Sequence, residues 1–142
     1  MNVSARNQWQ GTISALAEGA VNDEVVLTLA GGEKLVAVVT RASREAMGLA
    51  PGKEAIALIK APWVMLASEN CGLMFSARNQ FACTVTALHR GAVNSTVELC
   101  CDSGLRLVSI ITNESTDSMA LRAGSRVIAL VKASSVLLAV RQ

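Results

Sequence analysis

The sequence repeats itself. Ser-Ala-Arg-Asn-Gln stands at residues 4–8 and again at 76–80, an offset of 76 − 4 = 72 residues that holds without a gap to the end of the chain. Gly19-Ala20-Val21-Asn22 returns as Gly91-Ala92-Val93-Asn94, Ile56-Ala57-Leu58 as Ile128-Ala129-Leu130, and Lys60-Ala61 as Lys132-Ala133. Aligning 4–66 on 76–138 leaves about 29 of roughly 63 positions identical, far beyond what composition would produce. The period is too long for a solenoid repeat and too short for an ordinary domain. Two copies of one small unit are expected: a first domain over 1–67, a linker over 68–75 with Asn70 and Gly72 at its bend, and a second domain over 76–142.

A unit of this size buries only a modest fraction of its surface. Yet 51% of the residues are hydrophobic and 17% charged. The apolar excess must therefore pack against another copy, in this chain or in others. Disulfides are not expected to compensate. Cys71, Cys83, Cys100 and Cys101 have no equivalents in the first copy, whereas a duplicated bridge would occur twice. Each is read as a small apolar filler, with Cys83 replacing Gly11 on an inward strand face. With one histidine, His89, and no paired-cysteine motif, a structural zinc site is not expected. The opening residues MNVSARN lack a basic segment followed by an apolar core, so no secretory leader is expected. No apolar run approaches membrane-spanning length. These features point to a reduced, cytoplasmic protein. A formal net charge of +2 is weak support for a nucleic-acid partner.

Period-two patterning runs through both copies. Trp9, Gly11, Ile13 and Ala15 alternate with polar residues, as do Val25, Leu27 and Leu29 before the Gly31-Gly32 turn. Leu35 to Thr40 is apolar on both faces, so both faces should be covered. Ser43 to Met47 suits one short helix, capped by Ser43 and stopped at Gly48. Pro51-Gly52 turns the chain into Glu54–Ile59, and Val64 to Leu66 closes the copy. The expected fold is all-β: two tandem five-stranded OB-fold barrels, each with one short helix after its third strand.

The polar residues that recur are hydroxyls, amides and cations: Ser4/Ser76, Arg6/Arg78, Asn7/Asn79, Gln8/Gln80, Asn22/Asn94, Thr40/Thr112, Ser43/Ser115 and Lys60/Lys132. Among the acidic residues only Glu45/Asp117 stays acidic, and no histidine or cysteine recurs. A general base supplied in both copies is therefore lacking, which argues against an enzyme, and divalent-cation ligands are lacking too. Donors and cations without acceptor-only groups describe an anion site. Helix caps, turn residues and solvated charges account for several of these positions singly, and less readily for the whole set.

Ser-Ala-Arg-Asn-Gln, Gly-x-Val-Asn, Gly-Gly-x-x-Leu, Thr-x-x-Ser and Lys-Ala together resemble the molbindins, proteins of Mop-type domains related to the transport-associated OB (TOBE) domain. The resemblance covers both copies. It implies a cytoplasmic protein for molybdenum storage and homeostasis, with no catalytic residues and no cofactor. Its ligand would be molybdate, or tungstate, held non-covalently between domains and subunits of a homotrimer. The anion site it implies uses Ser4, Ala5, Arg6, Thr40, Ser43, Lys60 and Ala61, and in the second copy Ser76, Ala77, Arg78, Thr112, Ser115, Lys132 and Ala133. One domain would contribute the Ser-Ala-Arg segment and a neighbour the Thr, Ser and Lys segment. The loops holding Gly19, Val21 and Asn22, and Gly91, Val93 and Asn94, resemble a second type of site. Metal would be bound only as the oxyanion, with no direct cation ligands.

Two other functions compete. An OB-fold that binds oligonucleotides stacks bases on aromatic side chains, and this chain has two Trp, two Phe and no Tyr. A molybdate-sensing regulator would need an attached output module, and neither a helix-turn-helix stretch nor a phosphate-binding loop is expected here. Neither nucleic acid nor membrane is an expected partner.

Overall fold

The computed structural model describes residues 2–142. Each repeat opens with a three-stranded antiparallel meander whose first strand is long. In the first these are β1 (Asn7–Ala17), β2 (Asn22–Leu29) and β3 (Lys34–Thr40), and a short helix α1 (Arg41–Met47) leads into β4 (Glu54–Ile59) and β5 (Met65–Ser68). In the second, β6 (Asn79–Arg90), β7 (Asn94–Cys101) and β8 (Arg106–Thr112) precede α2 (Asn113–Ser118), β9 (Arg126–Val131) and β10 (Leu137–Ala139). Five strands with a helix between the third and fourth is the expected OB-fold order. Val25, Leu27 and Leu29 are buried, as the alternation required. A bulge in β1 between Ile13 and Ala15 breaks its period of two. Ala15, expected inward, is exposed, and Leu16 turns toward the core. The same bulge recurs in β6 between Val85 and Ala87.

The helix begins earlier than expected. Its cap is Thr40, whose side chain accepts from the Ser43 backbone N–H, and Thr112 caps α2 from Ser115 in the same way. Ser43 and Ser115 sit inside the first turn. Gly48 does end α1, with a left-handed φ of 64° that favours glycine. In the second copy Ala120 takes a positive φ of 49° just beyond α2.

The last strands do not close their own copies. One sheet has the order β10-β4-β1-β2-β3 and the other β5-β9-β6-β7-β8. Leu138 of β10 pairs with Ala57, and Leu66 of β5 pairs with Ala129. Each repeat thus gives its fifth strand to the other. The crossing is made by one-turn 3-10 helices, Ala61–Trp63 and Ala133–Ser135, which lie against β8 and β3 of the opposite repeat. Ser109 Oγ donates to the Val64 carbonyl at 2.6 Å and fixes the first crossing.

The interlocking explains the apolar composition. Buried residues of both repeats, from Ile13 to Leu138, form one continuous cluster. Val36 and Val38, on the outer face of β3, are half-buried beneath the other repeat's segments. Cys83 and Cys101 face each other across β6 and β7 with sulfurs 3.0 Å apart, where the first repeat has Gly11 and Leu29. The contact with Cys83 and burial push the Cys101 thiol up. Cys71 does not act as a filler, because it lies exposed in the linker.

Candidate functional site

The repeated pentapeptide divides its work among its residues. Asn7 is buried and clasps the opposite repeat. Its Nδ2 donates to the Val108 carbonyl at 2.9 Å, while the Val108 N–H donates to its Oδ1 at 2.7 Å. Asn79 makes the equivalent pair with Val36, both bonds 2.8 Å. Gln8 folds the preceding residues into a turn by donating to the Val3 and Ala5 carbonyls, and Gln80 does so to Phe75 and Ala77. The amides are thus spent on architecture. What they present outward is Ser4 and Arg6, and Ser76 and Arg78, all exposed.

Sheet register then places the other recurring groups. Asn7 pairs with Ile59, so Arg6 and Lys60 leave neighbouring strand ends side by side. Ala61 and Ala133 are buried, and their small side chains let the 3-10 turns sit close. Lys60 is exposed, its Nζ 5.9 Å from the Trp63 ring centroid. Thr40 pairs with Asn22, which begins β2, at the far end of β1 from Asn7. A strand of this length separates its ends by roughly 30 Å. Within a repeat, therefore, Lys60 and Ala61 group with the Ser-Ala-Arg segment, not with Thr40 and Ser43.

The missing hydroxyls come from the other repeat. Asn79 is fixed at Val36, and Arg78 reaches Glu24, whose partner on β3 is Val38, two residues short of Thr40. The segment 76–78 therefore runs toward Thr40 and Ser43, whose hydroxyls lie 2.9 Å apart. In the second half, Thr112 and Ser115 hydroxyls are 3.0 Å apart and line a cleft of about 450 Å³ together with Pro62, Val64 and Met65 of the first repeat. The register thus sets Ser4, Ala5, Arg6, Lys60 and Ala61 at one seam and Ser76, Ala77, Arg78, Lys132 and Ala133 at the other, with Thr112 and Ser115, and Thr40 and Ser43, at the ends of the opposing third strands. Both seams lie within one chain.

The Gly-x-Val-Asn loops join β1 to β2 and β6 to β7. A Cβ on Gly91 would come within 2.8 Å of the Asn94 carbonyl oxygen, and one on Gly19 would come still closer to that of Asn22, so the glycines are sterically required. Val21 and Val93 project outward, 71% and 70% exposed. The loops are latched to the helices in different ways. In the first, buried Asp23 accepts from the Gly19 N–H at 2.9 Å and from Arg44 Nε at 2.5 Å, and Arg44 also reaches Glu18 at 2.8 Å. Arg41 donates to the Gly19 carbonyl. In the second, Ser95 donates to Asn113 at 2.6 Å and Asn113 to the Gly91 carbonyl at 2.9 Å, with no charge.

The hydrogen bond from Arg44, with that from Gly19, holds the Asp23 carboxyl below the usual carboxylate range. Its contribution is fully present above the ordinary carboxylate value and fades as pH falls through the lowered one. Asp117, paired with Arg90 near the second loop, lies on the surface, where such pairs contribute little. Below about pH 4, amide hydrogen exchange should accelerate around Gly19–Asn22 before it does around Gly91–Asn94. Equal acceleration in both loops would contradict the ionic latch.

Among the described residues no group of three His, Cys, Asp or Glu side chains could hold a metal ion, and no helix is long and apolar enough to cross a membrane. Each half carries the same strand ladder and completes its sheet with the other half's fifth strand. That combination defines an interlocked tandem-repeat β protein. The TOBE domain family matches residues 3–66 and 76–138, and the chain belongs to that family, with two copies of its domain. Its fold superposes on the crystal structure of the cytoplasmic molybdate-binding protein ModG, solved with molybdate bound. The TM-score is 0.93 and the identity 46%, over 99% of this chain and 100% of that one. The molybdenum transport protein ModE of Herbaspirillum seropedicae is 41% identical over the whole of this chain and 53% of its own length. The molybdenum-pterin-binding protein MopA of Rhodobacter capsulatus is 42% identical over 98% of this chain and 52% of its own length. The chain thus spans about half the length of the curated relatives it matches.

Proposed function

We propose that the protein binds molybdate, and tungstate, as intact oxyanions and buffers them in the cytoplasm. The observation that carries this reading is the repetition, in both interlocked repeats, of two exposed cations at neighbouring strand ends and of a pair of hydroxyls at the helix cap. A tetrahedral dianion needs compensating charge and a donor for each oxygen, and burial without them would be prohibitive. Arg6 and Lys60 supply charge, Ser4, Thr112 and Ser115 supply hydroxyl donors, and the mirror set does the same. The anion is held without covalent change, so release needs no chemistry, and no catalytic residue or cofactor enters the proposal. The similarity to a protein crystallised with molybdate supports the choice of ligand. Assembly as a homotrimer would add surfaces between subunits, with the protruding Gly19–Asn22 and Gly91–Asn94 loops as a second type of site.

Isothermal titration of the purified protein with molybdate, tungstate and sulfate, paired with elemental analysis, tests this. Molybdate and tungstate should bind and sulfate should compete poorly, because a fixed donor cage sized for the larger anion fits sulfate loosely. Lys60→Ala should weaken the sites it serves by about 2 kcal/mol, the worth of a hydrogen bond to a charged group. Absence of heat with either metal oxyanion would end the proposal.

A further inference from the structure

The two surfaces are not equal: Arg41 and Ala42 stand on one where the other has Asn113 and Glu114, and only one of them has a carboxylate that engages its arginine. Glu24 and Thr96 occupy the same place in the two repeats. On the first ribbon Asn22 pairs with Thr40 and Glu24 with Val38, so Glu24 lies diagonal to Thr40 on the same face, about 7 Å away. It is half-exposed and holds Arg78 in an ion pair of 2.6 Å. On the second ribbon Asn94 pairs with Thr112 and Thr96 with Ile110, which puts a hydroxyl where the carboxylate would be. Among the described residues Arg6 makes no ion pair. Glu98, which lines a small cavity with Arg6, pairs with Val108, two residues further from Thr112, and is engaged by His89 at 2.6 Å.

We infer that Glu24 acts as a built-in competitor that makes one of the two anion sites weak while its twin stays strong. This rests on the oxyanion-binding reading. At the surface of Arg6, Lys60, Thr112 and Ser115, Glu114 stands in the first turn of α2, but among the described residues it pairs with neither cation, and both face an incoming dianion unengaged. At the surface of Arg78, Lys132, Thr40 and Ser43, the Glu24 carboxylate cancels one cation and repels the dianion. For the anion to enter, Arg78 must leave Glu24, and the freed carboxylate then stands beside it. One protein thereby holds anion in two affinity ranges: the Arg6 site fills at low concentration and the Arg78 site serves as overflow. Glu24 donates nothing to the ligand and sets affinity by engaging Arg78 and by its own charge.

The test is a molybdate titration by calorimetry of the wild type, Glu24→Thr and Thr96→Glu at fixed ionic strength. The wild type should show a tight and a weak class. Glu24→Thr should strengthen the weak class on the order of tenfold, and Thr96→Glu should weaken the tight class to a similar degree, as expected for a unit charge near a dianion in a partly solvated site. Glu24→Gln, which keeps a hydrogen-bonding partner for Arg78 but removes the charge, should reproduce the gain and serves if the threonine variant fails to fold. Molybdate binding that is identical in the wild type and a folded Glu24 variant overturns the inference while leaving oxyanion binding intact. Absence of binding in all of them overturns both.

Discussion

Truncation after Val136 is expected to unfold the first sheet, although every residue removed belongs to the second repeat. Loss of Leu137–Ala139 strips the outer ladder from β4, where Leu137, Leu138 and Ala139 pair with Leu58, Ala57 and Ile56. Leu138 is 7% exposed and part of the shared core. Its burial and the ladder bonds together amount to about 4 kcal/mol. The remaining chain would carry β4 as an open edge, a template for pairing with other molecules. Hydrogen exchange should rise over Glu54–Ile59 more than over Arg126–Val131, and aggregation should rise on gel filtration. Protection lost instead within β9 would mean that the last strand stays with its own repeat.

Asn7→Ala is expected to be nearly as damaging. The side chain answers both polar groups of Val108 and also donates to the Ile59 carbonyl at 3.2 Å. Alanine would leave an N–H and two carbonyls short of partners in a buried seam, at a cost of about 3 kcal/mol. For a chain of this length that lowers the melting temperature by about 10 °C. Asn79→Ala should behave alike, through Val36. Asn7→Asp is a sharper variant. It keeps an acceptor for the Val108 N–H but sets a carboxylate oxygen against the Val108 carbonyl. A melting curve unchanged by Asn7→Ala would show that the clasp contributes nothing.

The role of Asn7 marks where sequence reading stopped. Its recurrence in both copies was visible, but recurrence alone does not separate a ligand contact from an architectural one. Only the register, which brings Val108 within reach, separates them. Strand positions were legible because burial on one face imposes a period of two, and β4 falls on Glu54–Ile59 as read. The bulge at Ile13/Ala15 was not legible, because one inserted residue leaves no compositional trace. The exchange of fifth strands was hidden for a different reason. Glu54–Ile59 and Arg126–Val131 are near-copies, so Met65–Ser68 and Leu137–Ala139 fit either equally well by pattern. The choice is made by the 3-10 turns, which carry each strand across to the opposite repeat. The β1–β4 register sets Lys60 beside Arg6, and the crossing brings Pro62 and Val64 to the cleft of Thr112 and Ser115. The candidate residues could be named from the sequence, but their partition between the two seams could not.

Reciprocal donation of the closing strands makes the tandem chain an intramolecular dimer. A lone repeat could complete its sheet only by trading ends with a second copy of itself, and its integrity would then depend on concentration. Covalent fusion makes that trade unimolecular, so the assembled state persists at any dilution. It also releases the two partners from identity. In a dimer of identical chains every substitution strikes both seams at once, whereas here Asp23 can become Ser95, and Glu24 can become Thr96, on one side alone.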